Sequence, residues 1–236
     1  MLILPQNSAV IADFDARLKA IRARIAAAAV AGGRSEQSVT LVAVSKGHGA
    51  DAVRAAANLG VGHFGESYLQ EALPKIEALH GTKLTWHFIG RLQANKTRAI
   101  AQHFDWVHGI DRMQIARRLA EQRPHYAPRL NVCLQINIAA DGSKAGISAA
   151  EAPQLAQAVA GLPQLRLRGL MCMLPGNQDG PAQRRCFGAL RALLRQLDDS
   201  ATLDTLSMGM SDDFEAAILE GATMVRIGTA IFGPRT

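Results

Sequence analysis

The run LVAVSK over 41–46 ends four apolar residues and a serine on a lysine, Lys46, with Gly47 directly after it. A short β-branched run without alternation reads as a strand buried on both faces, as in parallel sheets. In an α/β barrel the C-terminal edge of such a strand is where the chemistry sits. A lysine there has its stem among apolar groups and its amine at the mouth. Desolvation raises its neutral, nucleophilic fraction, which a Schiff base to an aldehyde requires. The plain alternative is a lysine that snorkels out of a strand end. Two further turns carry anion chemistry. SMGMS over 207–211 offers the Ser207 hydroxyl, Gly209 for close backbone approach, and Ser211 as an N-cap whose helix would aim free N–H groups nearby. Gly228 and Thr229 repeat the pairing of glycine with hydroxyl. Ordinary turn and cap chemistry would explain each of these singly. Asp212 and Asp213 suit a helix N-terminus and are expected to point away from any anion.

Arg226 interrupts the apolar stretch MVRI two residues before Gly228. Period-two alternation puts both on one side, and an arginine in a barrel strand needs an acceptor, either a ligand or an ion-pair partner on a neighbouring strand. A lysine, two phosphate-shaped turns and an arginine describe a pocket that would hold a phosphorylated aromatic aldehyde at three points. Pyridoxal phosphate is the obvious member of that class.

The elements that must position these groups follow from the same kind of reading. Strands are predicted at 41–46, 61–65, 84–89, 105–109, 130–138, 165–171, 203–207 and 223–227, each but the last followed by a helical stretch. Ser67 stands just past the end of the second. The loop 139–146 follows the fifth, and the helix after the seventh is predicted to begin at Ser211. A long amphipathic helix from Asn7 or Ser8 to about Ala31 comes first, with Val10, Phe14, Leu18, Ile21 and Ile25 on its apolar stripe. Eight strand-helix alternations over 236 residues, without linker or low-complexity tract, predict a single TIM (β/α)8-type barrel spanning 1–236 and preceded by an N-terminal helix. A doubly wound open sheet is the alternative, but no GxGxxG follows the first strand.

Composition narrows the class. The formal net charge of +6 comes with arginines scattered over predicted helices, without a nucleic-acid motif or an aromatic-interleaved basic stripe, so nucleic-acid binding is not expected. A basic balance suits an acidic small ligand such as a phosphate ester. No apolar run approaches the ~20 residues that span a bilayer, and the N-terminus does not read as a signal peptide. Cys133, Cys172 and Cys186 are odd in number and far apart, which points to free thiols in a reducing compartment rather than disulfides or a zinc site. A cytoplasmic protein without a metal is the expectation, and a monomer.

The motifs LVAVSK (41–46), FGESY (64–68), WHFIG (86–90), LQANK (92–96), LSMGMSDD (206–213) and MVRIGTAIFG (224–233) together resemble the pyridoxal phosphate homeostasis proteins (YggS/PROSC family), along the whole chain. The resemblance implies a barrel like the N-terminal domain of alanine racemase and a role in vitamin B6 and amino-acid balance. It implies a protein that carries or buffers the cofactor, with no established reaction, and PLP-dependent apo-enzymes as recipients. It implies that Lys46 is the Schiff-base lysine. Ser207, Gly209, Gly228 and Thr229 match the phosphate cradle, and Arg226 matches the arginine facing the pyridine nitrogen. Ser67 stands where the family usually has asparagine, Gly47-His48 where threonine is common, and Arg91 where a smaller or less charged residue is usual; these bear on affinity rather than on the cofactor. The rival is an amino-acid racemase of the same barrel type. It would need a second domain and a second acid/base group, and the chain ends about a turn after strand eight. A Schiff-base aldolase without cofactor is a third reading.

Overall fold

The computed structural model describes residues 8–139, 145–176, 178–197 and 203–234; most of the predicted loop 139–146, Lys144 included, lies outside them. Eight parallel strands pair in chain order and close into a barrel, the last against the first. They are β1 Thr40–Val44, β2 His63–Glu66, β3 Thr85–Phe88, β4 Trp106–Ile110, β5 Leu130–Gln135, β6 Leu165–Met171, β7 Thr205–Ser207 and β8 Met224–Ile227. The helices are α1 Ser8–Ala31, α2 Ala50–Asn58, α3 Leu69–Ala78, α4 Thr97–His103, α5 Met113–Gln122, α6 Ala152–Ala160, α7 Gly180–Leu197, α8 Phe214–Leu219 and α9 Thr229–Phe232. The predicted barrel with its leading helix is the observed fold.

The unbroken apolar run of β1 is explained by its two faces. Ala43 packs into the main core between sheet and helices, with Leu41 against it, whereas Val42 joins Trp106, Cys133, Met171 and Met224 in a separate apolar cluster inside the barrel. On α1 the stripe Phe14, Leu18, Ile21 and Ile25 is buried as expected. This helix also seats the last turn of the chain. The Phe14 and Phe232 rings lie 5.6 Å apart, and Arg24 bonds Glu215 of α8 at 2.7 Å.

Three local expectations change. β1 stops at Val44, so Lys46 stands two residues beyond the strand, where Gly47 turns the chain at φ +77°. Second, the helix after β7 begins at Phe214, not at Ser211. A turn intervenes: Asp213 Oδ1 accepts the Met210 N–H at 2.5 Å, and the Met210 carbonyl accepts from Phe214 N–H at 2.9 Å. Asp213 therefore does not point away. It is buried, while Asp212 is exposed. Third, the chain makes a further one-turn helix, α9, directly after β8. Its Gly228 carbonyl accepts from Ile231 and Phe232 at 2.8 and 2.9 Å.

Candidate functional site

A cavity of about 170 Å3 opens at the C-terminal end of the barrel. It is lined by Val44, Lys46 and His48 from the end of β1, and by Ser67 and Ile89 from the ends of β2 and β3. Met173, Met210, Ser211, Arg226, Gly228, Thr229 and Gly233 complete it. Of the residues singled out in the sequence, Lys46, Ser67, Arg226, Gly228 and Thr229 therefore meet in one cleft. Arg91 is exposed and outside this lining. His48 lies inside, its ring stacked 5.1 Å from that of Phe232.

The backbone that carries Lys46 is gripped from both sides by α3. Lys75 Nζ donates to the Ser45 carbonyl at 2.8 Å and to Glu66 Oε1 at 2.7 Å, and Ser45 Oγ donates to the same Glu66 oxygen at 2.6 Å. Glu71 Oε2 accepts the Gly47 N–H at 2.8 Å. Burial pushes the Glu66 carboxyl up, against the Lys75 and Ser45 hydrogen bonds that favour its ionised form. Breaking one partner of such a pair leaves the other charge buried and uncompensated. Sequence reading missed this clamp, since nothing in the spacing of 45, 66 and 75 marks them as neighbours.

The loops after β7 and β8 bring Ser211, Gly228 and Thr229 to the cleft. Gly228 lies so close to β1 that a Cβ on it would stand 3.1 Å from the Val44 carbonyl oxygen. At the start of α9 the Thr229 and Ala230 N–H groups have no preceding turn to donate to, whereas those of Ile231 and Phe232 donate to the Gly228 carbonyl, and Thr229 adds a hydroxyl beside them. A short extra helix after the last strands is where barrels of this kind bind phosphate. The chemistry of these donors, with Lys46 and Arg226 in the same cleft, fits a phosphorylated aldehyde.

Two predicted members of the cradle, Gly209 and Ser207, are not among the residues that line the cleft. Gly209 adopts φ +95°, and a Cβ there would fall 2.7 Å from that of Ala217 and 2.9 Å from Phe214 Cα, so glycine is required to seat α8. Ser207 is fully buried, and its Oγ accepts from Arg226 Nη1 at 2.7 Å and meets His108 Nδ1 at 2.7 Å. The serine of this loop that lines the cleft is Ser211. Arg226 thus finds a hydroxyl and the Cys172 carbonyl, at 2.9 Å, as its hydrogen-bond acceptors. Burial lowers its pKa, opposed by Cys172 and by the nearby Asp213 carboxyl. Burial also pushes the Cys133 and Cys172 thiols up to about 12, which makes both poor nucleophiles.

His108 is held by burial, and then by the Arg226 charge, at a pKa of about 3; His87, which meets His108 Nε2 at 2.9 Å, is pushed well below its ordinary value by burial and its neighbouring histidines. Both titrate near 6.5 in an unfolded chain. Below that pH the unfolded state binds the protons that the folded state refuses, so stability falls with acidification. The expected slope is about 1.4 kcal/mol per pH unit for each of the two. Glu66, Asp105 and Asp213, whose carboxyls burial raises, contribute with the opposite sign, since on acidification they take up protons in the folded state before they do in the unfolded chain. Denaturant midpoints measured between roughly pH 7 and pH 5.5 read the histidine contribution. A flat profile there would contradict two neutral buried imidazoles.

The model of the alanine racemase N-terminal domain matches residues 16–236. A pyridoxal phosphate homeostasis protein of Pseudomonas aeruginosa is 56% identical over 215 residues, covering 91% of this chain and 93% of the relative. The chain belongs to the pyridoxal phosphate homeostasis branch of the alanine racemase N-terminal domain family. The Escherichia coli K12 homeostasis protein is 50% identical over 227 residues, covering 94% and 97% of the two chains. Among solved structures, PipY of Synechococcus elongatus PCC7942 with PLP bound superposes with a TM-score of 0.81 at 35% identity, over 93% of this chain and all of that one.

Proposed function

We propose that this chain binds pyridoxal phosphate through covalent attachment to Lys46 and serves as a carrier or buffer of the cofactor that supplies PLP-dependent apo-enzymes. The observation that carries the reading is the meeting of Lys46, Arg226 and the Gly228–Thr229 turn in one cleft at the C-terminal end of the barrel. The names of its relatives and the ligand of PipY support it. In this reading the phosphate rests on the N-terminus of α9, with Gly228, Thr229 and Ser211 around it. Arg226 faces the ring nitrogen, and Ser207 orients Arg226 from below. Gly209 acts through the seat of α8. Ser67 contacts the ring edge.

Bound pyridoxal phosphate supplies an electron sink, and an arginine at its ring nitrogen, unlike a carboxylate, leaves that nitrogen unprotonated and the sink weak. That suits storage better than turnover. The test is titration of the cofactor into the apo-protein, followed by borohydride reduction and mass mapping. A modification confined to Lys46 is the expected result, and attachment elsewhere or none would reject the reading. Arg226→Glu is expected to weaken binding or to shift the visible band of the bound cofactor, because a buried carboxylate would favour a protonated ring nitrogen. Unchanged affinity and spectrum would show that Arg226 serves the barrel alone. A racemase reading has one observation in its favour, the titratable His48 in the cleft near Lys46. Assays of racemisation on several amino acids, with His48→Phe as control, separate the two.

A further inference from the structure

A line of hydrogen bonds crosses the barrel interior from its N-terminal end to Arg226. His63 Nδ1 meets His87 Nε2 at 3.0 Å, His87 Nδ1 meets His108 Nε2 at 2.9 Å, and His108 Nδ1 meets Ser207 Oγ at 2.7 Å. Arg226 Nη1 closes the line on the same oxygen. The stagger of the barrel makes this climb possible. His63 pairs with Thr85 and His87 with Gly65, so His87 sits two positions above His63; His87 in turn pairs with Trp106, two positions below His108. The lower end is open: His63 is half-buried and lines a cleft of about 550 Å3 with Arg22, Glu36 and Thr40. Burial lowers its pKa, against the pull of Asp105.

A neutral imidazole carries one N–H and one bare nitrogen. Three such rings in series satisfy every link only when all point the same way. In one sense each Nδ1–H donates upward and His108 donates to Ser207; in the other each Nε2–H donates downward and the Ser207 hydroxyl donates to His108. A mixed arrangement would set two N–H groups or two lone pairs face to face in the interior, where an unmade hydrogen bond costs most. In the second sense Ser207 is polarised by its own donation and is the better acceptor for Arg226.

We propose that His63, His87, His108 and Ser207 form a directional hydrogen-bond column that transmits the hydrogen-bonding state of His63, at the lower mouth of the barrel, to the guanidinium of Arg226 in the upper cleft. The three histidines and Ser207 are then positioning residues. Their effect on the cofactor rests on the reading of Arg226 as the partner of the ring nitrogen.

The test uses substitutions at the half-buried end. His63→Asp, with its carboxylate ionised, sets an obligate acceptor where Nδ1 stood, and His63→Lys sets an obligate donor there. The 15N shifts of the remaining histidines in the ligand-free chain report which nitrogen carries each proton. In the aspartate variant His87 and His108 are expected to carry theirs on Nε2, and in the lysine variant on Nδ1. The wild type is expected to show one shared tautomer. His108 in the same state in both variants would overturn the column, and so would opposite tautomers at His87 and His108 in the wild type, a readout that needs no variant to fold. With pyridoxal phosphate added, different visible bands for the two variants would extend the column to the ring. Identical bands with altered tautomers would overturn that last link. Failure of the wild type to bind the cofactor would sink the functional reading while leaving the ligand-free measurement valid.

Discussion

Replacing Lys46 with alanine is expected to abolish covalent attachment of pyridoxal phosphate while the barrel stays folded. The amine is the nucleophile of the proposed attachment, and no hydroxyl or thiol can replace it in a stable imine linkage. The fold should survive, because Lys46 is only half-buried and the backbone on either side of it is fixed by Lys75 on Ser45 and by Glu71 on Gly47. Loss of the visible band and of the borohydride-fixed mass, with an unchanged thermal midpoint, is the result that supports the assignment. A persistent band would reject Lys46 and redirect attention to Lys96, which lies outside the lining of the cleft, or to Lys144.

Pyridoxal without its phosphate is expected to bind far more weakly than the phosphorylated form, by about a hundredfold or more. Charge-assisted hydrogen bonds contribute roughly 1.5–3 kcal/mol each, and the loss of even two removes that much affinity. Lys46 can still condense with either aldehyde, so the difference isolates the anion site. Within that site Thr229→Val should cost about tenfold, the worth of one such bond. Gly228→Val should cost more, since its Cβ would already stand 3.1 Å from the Val44 carbonyl oxygen and the branches would displace either β1 or the ligand. Titration of both aldehydes into apo-protein, followed through the visible band, decides the matter. Equal affinities would sink the phosphate assignment even with Lys46 as the attachment site.

Some of this protein is determined by local chemistry and was therefore legible in the chain alone. Strand and helix periods are set within a few residues, so eight alternations, the leading helix and the barrel they form could be read directly. Period-two alternation placed Arg226 and Gly228 on one face, and the end of β1 placed Lys46 at the mouth; all three line the cleft. Other positions answer to packing, near or far along the chain. The turn offers the Ser207 hydroxyl as an anion donor; closure of the barrel brings it against Arg226 and His108, 19 and 99 residues away, and it hydrogen-bonds both. Ser211 was read as a helix cap, but buried Asp213 holds the Met210 N–H and delays the helix to Phe214. The glycine at 209 is fixed by Ala217 and Phe214 of the packed α8. The histidine column and the Lys75 clamp have no signature in the sequence, because their members are separated by entire strand-helix units. Only the stagger of a closed parallel barrel, which lifts each strand relative to the last, sets His63, His87 and His108 in contact.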